Sequence, residues 1–303
     1  MWGEADRKPS VGVLNSPPLL ALVSALAFAV AAVLVKRGLQ HATPLAGVLL
    51  SVHFTAATVW LLAASTQPLS LLVTGRVWPF LVAGLVAPGL ARLGLYVGVH
   101  RVGASRASAL ASCAPLFGMT MAVVALGERP GWGLLAGAVA IVAGGVLLSY
   151  RHGDDRTWRR RDLVFPLLGA FGFGIRDNLS RWGFAAFPYP LLAAAAATAA
   201  SVAVMWAVVF AARGTGLVGA TRTGVRLLAL SGLAEGIAYL TMWRALMLGT
   251  VSLVSPLVNS HSIVTVALAW LFLRDLERVT WRIALAAALV VAGVGLVVAY
   301  GTG

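Results

Sequence analysis

The chain has 303 residues, of which 60% are hydrophobic and 11% charged, and its mean hydropathy is +0.90. Soluble domains carry about a quarter charged residues, so this composition excludes a water-facing surface and makes lipid the solvent for most of the exterior. A net charge of +13 and a pI near 11.4 do not indicate a nucleic-acid partner. The cations stand singly at the ends of apolar runs, as membrane flanks do, without the interleaved aromatics of a nucleic-acid groove.

The N-terminal tail, 1–17, carries Glu4, Asp6, Arg7 and Lys8. No small-residue cleavage pattern follows it, so the first apolar run is read as a retained helix. A spanning helix needs about 20 apolar residues. Long stretches free of Asp, Glu, Lys and Arg meet that need, among them 9–35, 38–75, 107–127, 130–150, 182–212 and 245–273. Together with turn signals they predict ten spans, near 18–37, 44–64, 77–98, 104–126, 131–150, 163–183, 190–212, 225–247, 251–273 and 279–300. The punctuation is Pro44, Thr66-Gln67-Pro68, Gly103-Ala104-Ser105, Pro130-Gly131, Pro188-Tyr189-Pro190, Gly214-Thr215-Gly216 and Gly249-Thr250. One strongly polar segment, 151–162, interrupts the chain near its midpoint.

That midpoint suggests a repeat of 18–150 in 163–303. Phe28, Lys36 and Gly38 fall against Phe173, Arg181 and Gly183. "ARLGLYVGVHR" from Ala91 falls against "AEGIAYLTMWR" from Ala234, which sets Arg92 opposite Glu235. The phrase Glu-Arg-x-x-Trp occurs twice, at Glu128–Trp132 and Glu277–Trp281, each time ahead of an apolar run holding a glycine at the matching place, Gly144 and Gly293. Each phrase marks the start of a fifth span: a glutamate in the first turn suits the positive helix end, Pro130 suits the same turn, and Trp132 and Trp281 suit an interfacial belt. Five spans per half is odd, so the second half enters the membrane inverted. The predicted fold is all-α and integral to the membrane, with ten helices as two inverted five-helix repeats and a site between the halves.

Four charges lie well inside spans: Arg92, Arg176, Asp177 and Glu235. Intramembrane charges face protein or water-filled cavities, so these are read either as a solute or proton path or as structural ion pairs. Asp177 and Glu235 are the candidates for ion coupling, since a buried carboxylate can carry a proton. Arg176 and Asp177 are adjacent on a helix and diverge by about 100°, so both cannot face one cavity squarely. Asn259, Ser260, His261 and Ser262 form a polar run in the ninth span, read as helix glue or ligand contact. His53 reads as a helix-packing histidine. Pro115 and Pro256 free backbone carbonyls or shape packing.

There is no His-Glu-x-x-His, Walker A loop or Gly-x-Ser-x-Gly, so neither an enzyme nor a cofactor is expected. Without a P-loop, uphill movement must draw on an ion or solute gradient. The single cysteine, Cys113, excludes an intrachain disulfide. The competing readings are an intramembrane lipid-handling enzyme and a membrane scaffold that transports nothing.

"YVGVHRVGASRASALASCAPLF" (Tyr96 to Phe117), "LGERP", "YLTMWRALMLGTVSLVSPL" (Tyr239 to Leu257) and "LFLRDLERVT" (Leu271 to Thr280) resemble the drug/metabolite transporter superfamily, in its ten-helix EamA-type branch. The second half departs from it in having no close match to "CAPLF", with Pro256 earlier in its helix than Pro115. The resemblance implies a multi-pass protein of the cell membrane that exports a small metabolite or drug-like solute; monomer and homodimer both stay open. It also implies a central cavity lined by the third, fourth, eighth and ninth helices. That carries over to Arg92, Tyr96, Pro115, Glu235, Tyr239, Asn259 and His261, a set suited to an amphipathic or zwitterionic solute such as an amino acid. The odd-numbered loops hold fifteen Lys or Arg against six on the other side, which places both termini outside. The resemblance implies cytoplasmic termini.

Overall fold

The computed structural model describes residues 15–102, 104–149, 159–211, 219–272 and 281–301. Among them every long element is helical, with one isolated antiparallel bridge between Ala42 and Ala220. Helix is what an apolar chain in lipid must form, because no water is present to take up free backbone groups.

In chain order the helices are α1 (Pro17–Gly38), α2 (Pro44–Thr66), α3 (Trp78–Gly84), α4 (Ala91–Val102), α5 (Ala104–Ala111), α6 (Ala114–Ala125), α7 (Trp132–Ser149), α8 (Val164–Gly183), α9 (Pro190–Ala211), α10 (Arg222–Leu248), α11 (Val251–Asn259), α12 (His261–Phe272) and α13 (Trp281–Tyr300). Their starts follow local chemistry. Proline occupies the first turn of α1, α2 and α3, where its missing N–H is not needed. The hydroxyls of Thr43, Thr221 and Thr250 cap α2, α10 and α11 by accepting from Ala46 N, Gly224 N and Leu253 N at 3.2–3.3 Å.

Among the described residues six stretches are long and apolar enough to cross a membrane: Pro17–Gly38, Leu45–Thr66, Gly75–Leu95, Arg106–Ala125, Pro190–Ala211 and Arg222–Leu248. Trp132–Leu148 and Ala284–Tyr300 are apolar but shorter. The predicted sixth span is the intact helix α8, whose Arg176, Asp177 and Arg181 lower its hydropathy.

Three predicted spans are not continuous helices. The third is split into α3, a π-helical turn at Leu85–Leu90 and α4, with Ala87 extended (φ −149°, ψ 132°) ahead of Pro88. Proline disfavours helical backbone in the residue before it, so Pro88 accounts for the break. The fourth breaks at Ser112-Cys113, and Pro115 opens α6 rather than kinking a longer helix. The ninth breaks at Ser260, so Asn259 ends α11 while His261 and Ser262 begin α12. The helical register expected across Asn259–Ser262 is therefore interrupted.

The main packing partners are α1 with α10, α7 with α13, α2 with α9 and α10, α3 and α4 with α8, α3 with α9, α6 with α8 and α11, and α1 with α11 and α12. Lipid offers no hydrophobic drive to bring helices together, so close backbone approach through small residues has to do it. The α7–α13 seam illustrates this. A Cβ on Gly137 would meet Gly293 O at 2.8 Å, and one on Gly293 would meet Gly137 O at 2.7 Å. Gly144 lies on the same seam against Ala286 and Val290. Elsewhere aromatic rings fill the interior, with Phe80 stacked obliquely on Phe184, Phe187 and Trp243 at 5.1–5.8 Å. Trp132 and Trp281 are 87% and 70% exposed, as interfacial belt residues are.

Candidate functional site

Arg92 is the second residue of α4, immediately past the irregular turn. Glu235 lies midway along α10 and is buried. The two guanidinium nitrogens Nη1 and Nη2 each donate to Glu235 Oε2 at 3.2 Å, an ion pair that joins the first half of the chain to the second. Helix α2 completes it. Ser51 Oγ accepts from Arg92 Nη1 at 3.0 Å, and Thr55 Oγ1 lies 3.0 Å from the same Glu235 oxygen. Thr55 Oγ1 also lies 2.7 Å from Ser51 O, and its single proton serves one acceptor at a time. Ser51 and Thr55 are one turn apart, so they share a face. Sequence reading missed both, although two hydroxyls at i and i+4 in an apolar helix were a usable signal.

A second buried pair stands on α8. Arg176 Nε and Nη2 donate to Asp177 Oδ1 at 2.9 and 2.7 Å. These neighbours start about 100° apart, yet the long arginine side chain folds back onto the carboxylate. Arg176 Nη2 also reaches Met242 Sδ at 3.5 Å, and its guanidinium lies over the rings of Phe173 and Tyr239 at 5.1 and 5.7 Å. Tyr239 sits one turn beyond Glu235 on α10 and is fully buried, so it bridges the two pairs. Phe28 of α1 meets Tyr239 edge-on at 5.5 Å and lies 6.1 Å from the His261 ring. One polar and aromatic cluster thus draws on α1, α2, α4, α8, α10 and α12. Phe28 was a repeat marker in the sequence; here it is also a cluster member.

The remaining predicted residues are placed as follows. Pro115 is buried in the first turn of α6. Asn259 donates back to Ser255 O at 3.1 Å, within its own helix. His261 Nδ1 is buried without a hydrogen-bond partner among the described residues. The side chain of Tyr96 lies outside the description. His53 is satisfied on both nitrogens, Nδ1 to Leu49 O at 2.6 Å and Nε2 from Trp206 Nε1 at 2.9 Å, which makes it a packing histidine. Asn178 donates to Gly118 O and Gly174 O, both at 2.9 Å, and ties α8 to α6.

Glu128 requires a correction. It was expected to favour the positive end of the helix that follows it, α7. Instead its carboxylate accepts from Val251 N at 2.8 Å, Ser252 N at 2.9 Å and Ser252 Oγ at 2.6 Å, at the start of α11 in the other half of the chain. Glu277, its repeat counterpart, lies outside the described residues.

Toward one end of the bundle, Arg101 of α4 donates to Asp162 Oδ1 at 3.1 Å and stacks on Phe165 at 4.6 Å. That guanidinium, with further help from Arg159 N, holds the Asp162 carboxyl below the usual carboxylate range. The central cluster itself is closed over: Glu235, Arg176 and Tyr239 are 6%, 6% and 2% exposed. Two apolar grooves of about 260 and 320 Å³, one between α6 and α7 and the other beside Trp60 and Trp78, touch none of its residues.

The closed polar cluster thus joins residues from both halves of the helical bundle. Comparison with known proteins bears on this. A solved crystal structure superposes with a TM-score of 0.80 at 18% identity, covering 94% of this chain and 97% of its own, which establishes the shared fold. Among curated protein sequences nothing matches the chain. The EamA-like transporter family model matches residues 15–150. The first half of the chain is thus similar to the EamA-like transporter family, a group of membrane transporters.

Proposed function

We propose that the protein is a secondary transporter of the cell membrane that exports a small zwitterionic or amphipathic solute between two inverted five-helix repeats. The observation that carries this reading is the buried Arg92–Glu235 pair, made by residues at matching positions of the two halves. A charge pair in this setting is costly to bury, and intramembrane charges mark solute and ion pathways.

The packing supports the repeat. Under the sequence correspondence, α7 with α13 and α2 with α9 are pairs of counterparts. The contact of α1 with α10 has its counterpart in α8 with α4, and that of α1 with α12 in α8 with α6. Counted this way, α3 with α4, α5 with α6, and α11 with α12 each make one broken span, which gives ten. Discontinuous helices at matching places in the two halves, here the fourth and ninth spans, are a feature of secondary transporters.

The chemistry fits a zwitterion. A solute carboxylate would replace Glu235 or Asp177 on an arginine, and an ammonium would take the released carboxylate. Charge inside the bundle stays balanced throughout, so no bare ion is stranded. The aromatic faces of Phe28 and Tyr239 beside these charges suit an apolar side group. Glu235 is the carboxylate we assign to proton coupling: it makes its pair across the repeat interface, whereas Asp177 is paired to its own sequence neighbour. Tyr96, Asn259 and His261 complete the pathway in this reading.

The test is to overproduce the protein in bacteria and profile solutes inside and outside the cells, with Glu235→Gln as the control. Enrichment of a zwitterion outside by the wild type alone supports export. No difference for any solute, with the protein verified in the membrane, refutes it.

A further inference from the structure

Between α6 and α7 the chain does something that its own two helices do not require. Gly127 takes a left-handed conformation (φ +69°) and Glu128 N donates back to Ala122 O at 3.1 Å. This is a glycine stop that ends α6 sharply and aims the next side chain sideways. That side chain is Glu128, and it lands on the first turn of α11, more than 120 residues away in sequence.

Glu128 takes two of the N–H groups that α11 leaves free in its first turn. The first four N–H groups of a helix have no partner within it. Leu253 N is taken by the Thr250 hydroxyl at 3.3 Å, and Val254 N makes the first ordinary helical bond, to the Thr250 carbonyl at 3.0 Å. Val251 N and Ser252 N go to Glu128 Oε1 and Oε2. An ionised acceptor makes such bonds shorter and stronger than a neutral one, and it also opposes the positive end of the helix dipole.

Helix α11 is short, Val251–Asn259, and its far end is the break at Ser260 that presents Asn259 and His261. At 1.5 Å rise per residue it is a rod of about 13 Å. Its wall is almost wholly buried, chiefly against α1, α6 and α7, so its two ends are held in one packed element. We propose that Glu128 is a positioning residue that ties the end of α6 in the first half to α11 in the second, and so sets the place of the ninth-span break relative to the central cluster. Its effect on solute movement rests on the transporter reading above; its effect on α11 does not.

The test uses the full-length protein in lipid, with Glu128→Ala, Glu128→Gln and Ser252→Ala, read by amide hydrogen exchange. Exchange at Val251 and Ser252 rises by at least about tenfold in Glu128→Ala, because two amides lose an ionised acceptor. It rises measurably at Ser260 and His261 as well. Glu128→Gln falls between, since an amide keeps one acceptor oxygen. Ser252→Ala, which keeps both amide bonds to Glu128, exchanges as wild type. Unchanged exchange at Val251 and Ser252 overturns the assignment, and so does a rise confined to those two residues, because α11 then does not transmit it. In proteoliposomes supplied with labelled α-amino acids, Glu128→Ala raises KM several-fold at equal insertion. A wild type that moves none of them counts against the transporter reading, and the exchange result still decides the role of Glu128.

Discussion

Removing the Glu235 carboxylate while leaving Arg92 in place is the perturbation whose size the structure fixes best. The pair is 3.2 Å apart, with side chains 13% and 8% exposed. At that separation the Coulomb attraction is roughly 5 kcal/mol with an effective dielectric of 20. Desolvation offsets much of this in the intact pair, but deleting the carboxylate leaves a buried guanidinium without the Glu235 counter-charge, at about 3–5 kcal/mol. Scaled to the length of this chain, unfolding entropy is roughly 0.6 kcal/mol/K, so Glu235→Ala lowers Tm by about 5–8 °C. Glu235→Gln loses less, because it still offers an oxygen to Thr55. Arg92→Ala with Glu235→Ala recovers most of the loss, since both members of the pair leave together. The assay is a double-mutant cycle on thermal unfolding in lipid nanodiscs, and the expected coupling is at least about 2 kcal/mol. Single effects that add to within about 0.5 kcal/mol would refute the reasoning.

Three further outcomes follow from local geometry. Gly137→Ala and Gly293→Ala each push a methyl into the opposing backbone carbonyl of the α7–α13 seam, so each destabilises by about 1–3 kcal/mol; Gly131→Ala and Gly295→Ala, with nothing within 4 Å of the added carbon, serve as near-neutral controls in the same melts. Asp162 is held below its ordinary pKa by Arg101, so its contribution is fully present above the unfolded carboxylate value of about 4 and is lost as pH falls below that through the folded value. Tm measured from pH 3 to 7 should therefore be more acid-sensitive in the wild type than in Asp162→Asn below about pH 4, with equal slopes above pH 5. Trp206→Phe removes the donor to His53 Nε2, and a cycle with His53→Ala should give a coupling of about 0.6 kcal/mol, the size typical of hydrogen bonds between membrane helices.

The helices were legible because the signals that set them are local: apolar length, proline and glycine punctuation, and charge at ends. The pairing of Arg92 with Glu235 was legible for a different reason. A repeat offset of 143 carries positional information that no single helix holds, and two opposite charges at matched places in an apolar medium attract strongly. Pro88, Ser112-Cys113 and Ser260 were harder to read. An interrupted helix of apolar residues has the same composition as a continuous one, and only the backbone reveals which it is. Arg176 and Asp177 were read by helical angle, which ignores the reach of a long, flexible side chain. Glu128 was assigned to the nearest helix start, whereas its acceptor oxygens serve another that is distant in sequence and close in space. Capping by a residue from another element leaves no spacing rule to find. The partners of Glu235 on α2 were findable, through the hydroxyl pair Ser51 and Thr55.

The central claim is that solute passes between the halves at Arg92 and Glu235, and counterflow in proteoliposomes tests it most directly. Purified protein is reconstituted with unlabelled α-amino acids inside and a labelled mixture outside, and wild type is compared with Glu235→Gln and Arg92→Gln at matched insertion. The account predicts label accumulation by the wild type and a fall of at least about tenfold in both variants, the loss of one interaction with a charged group. Wild-type accumulation in both variants would contradict it.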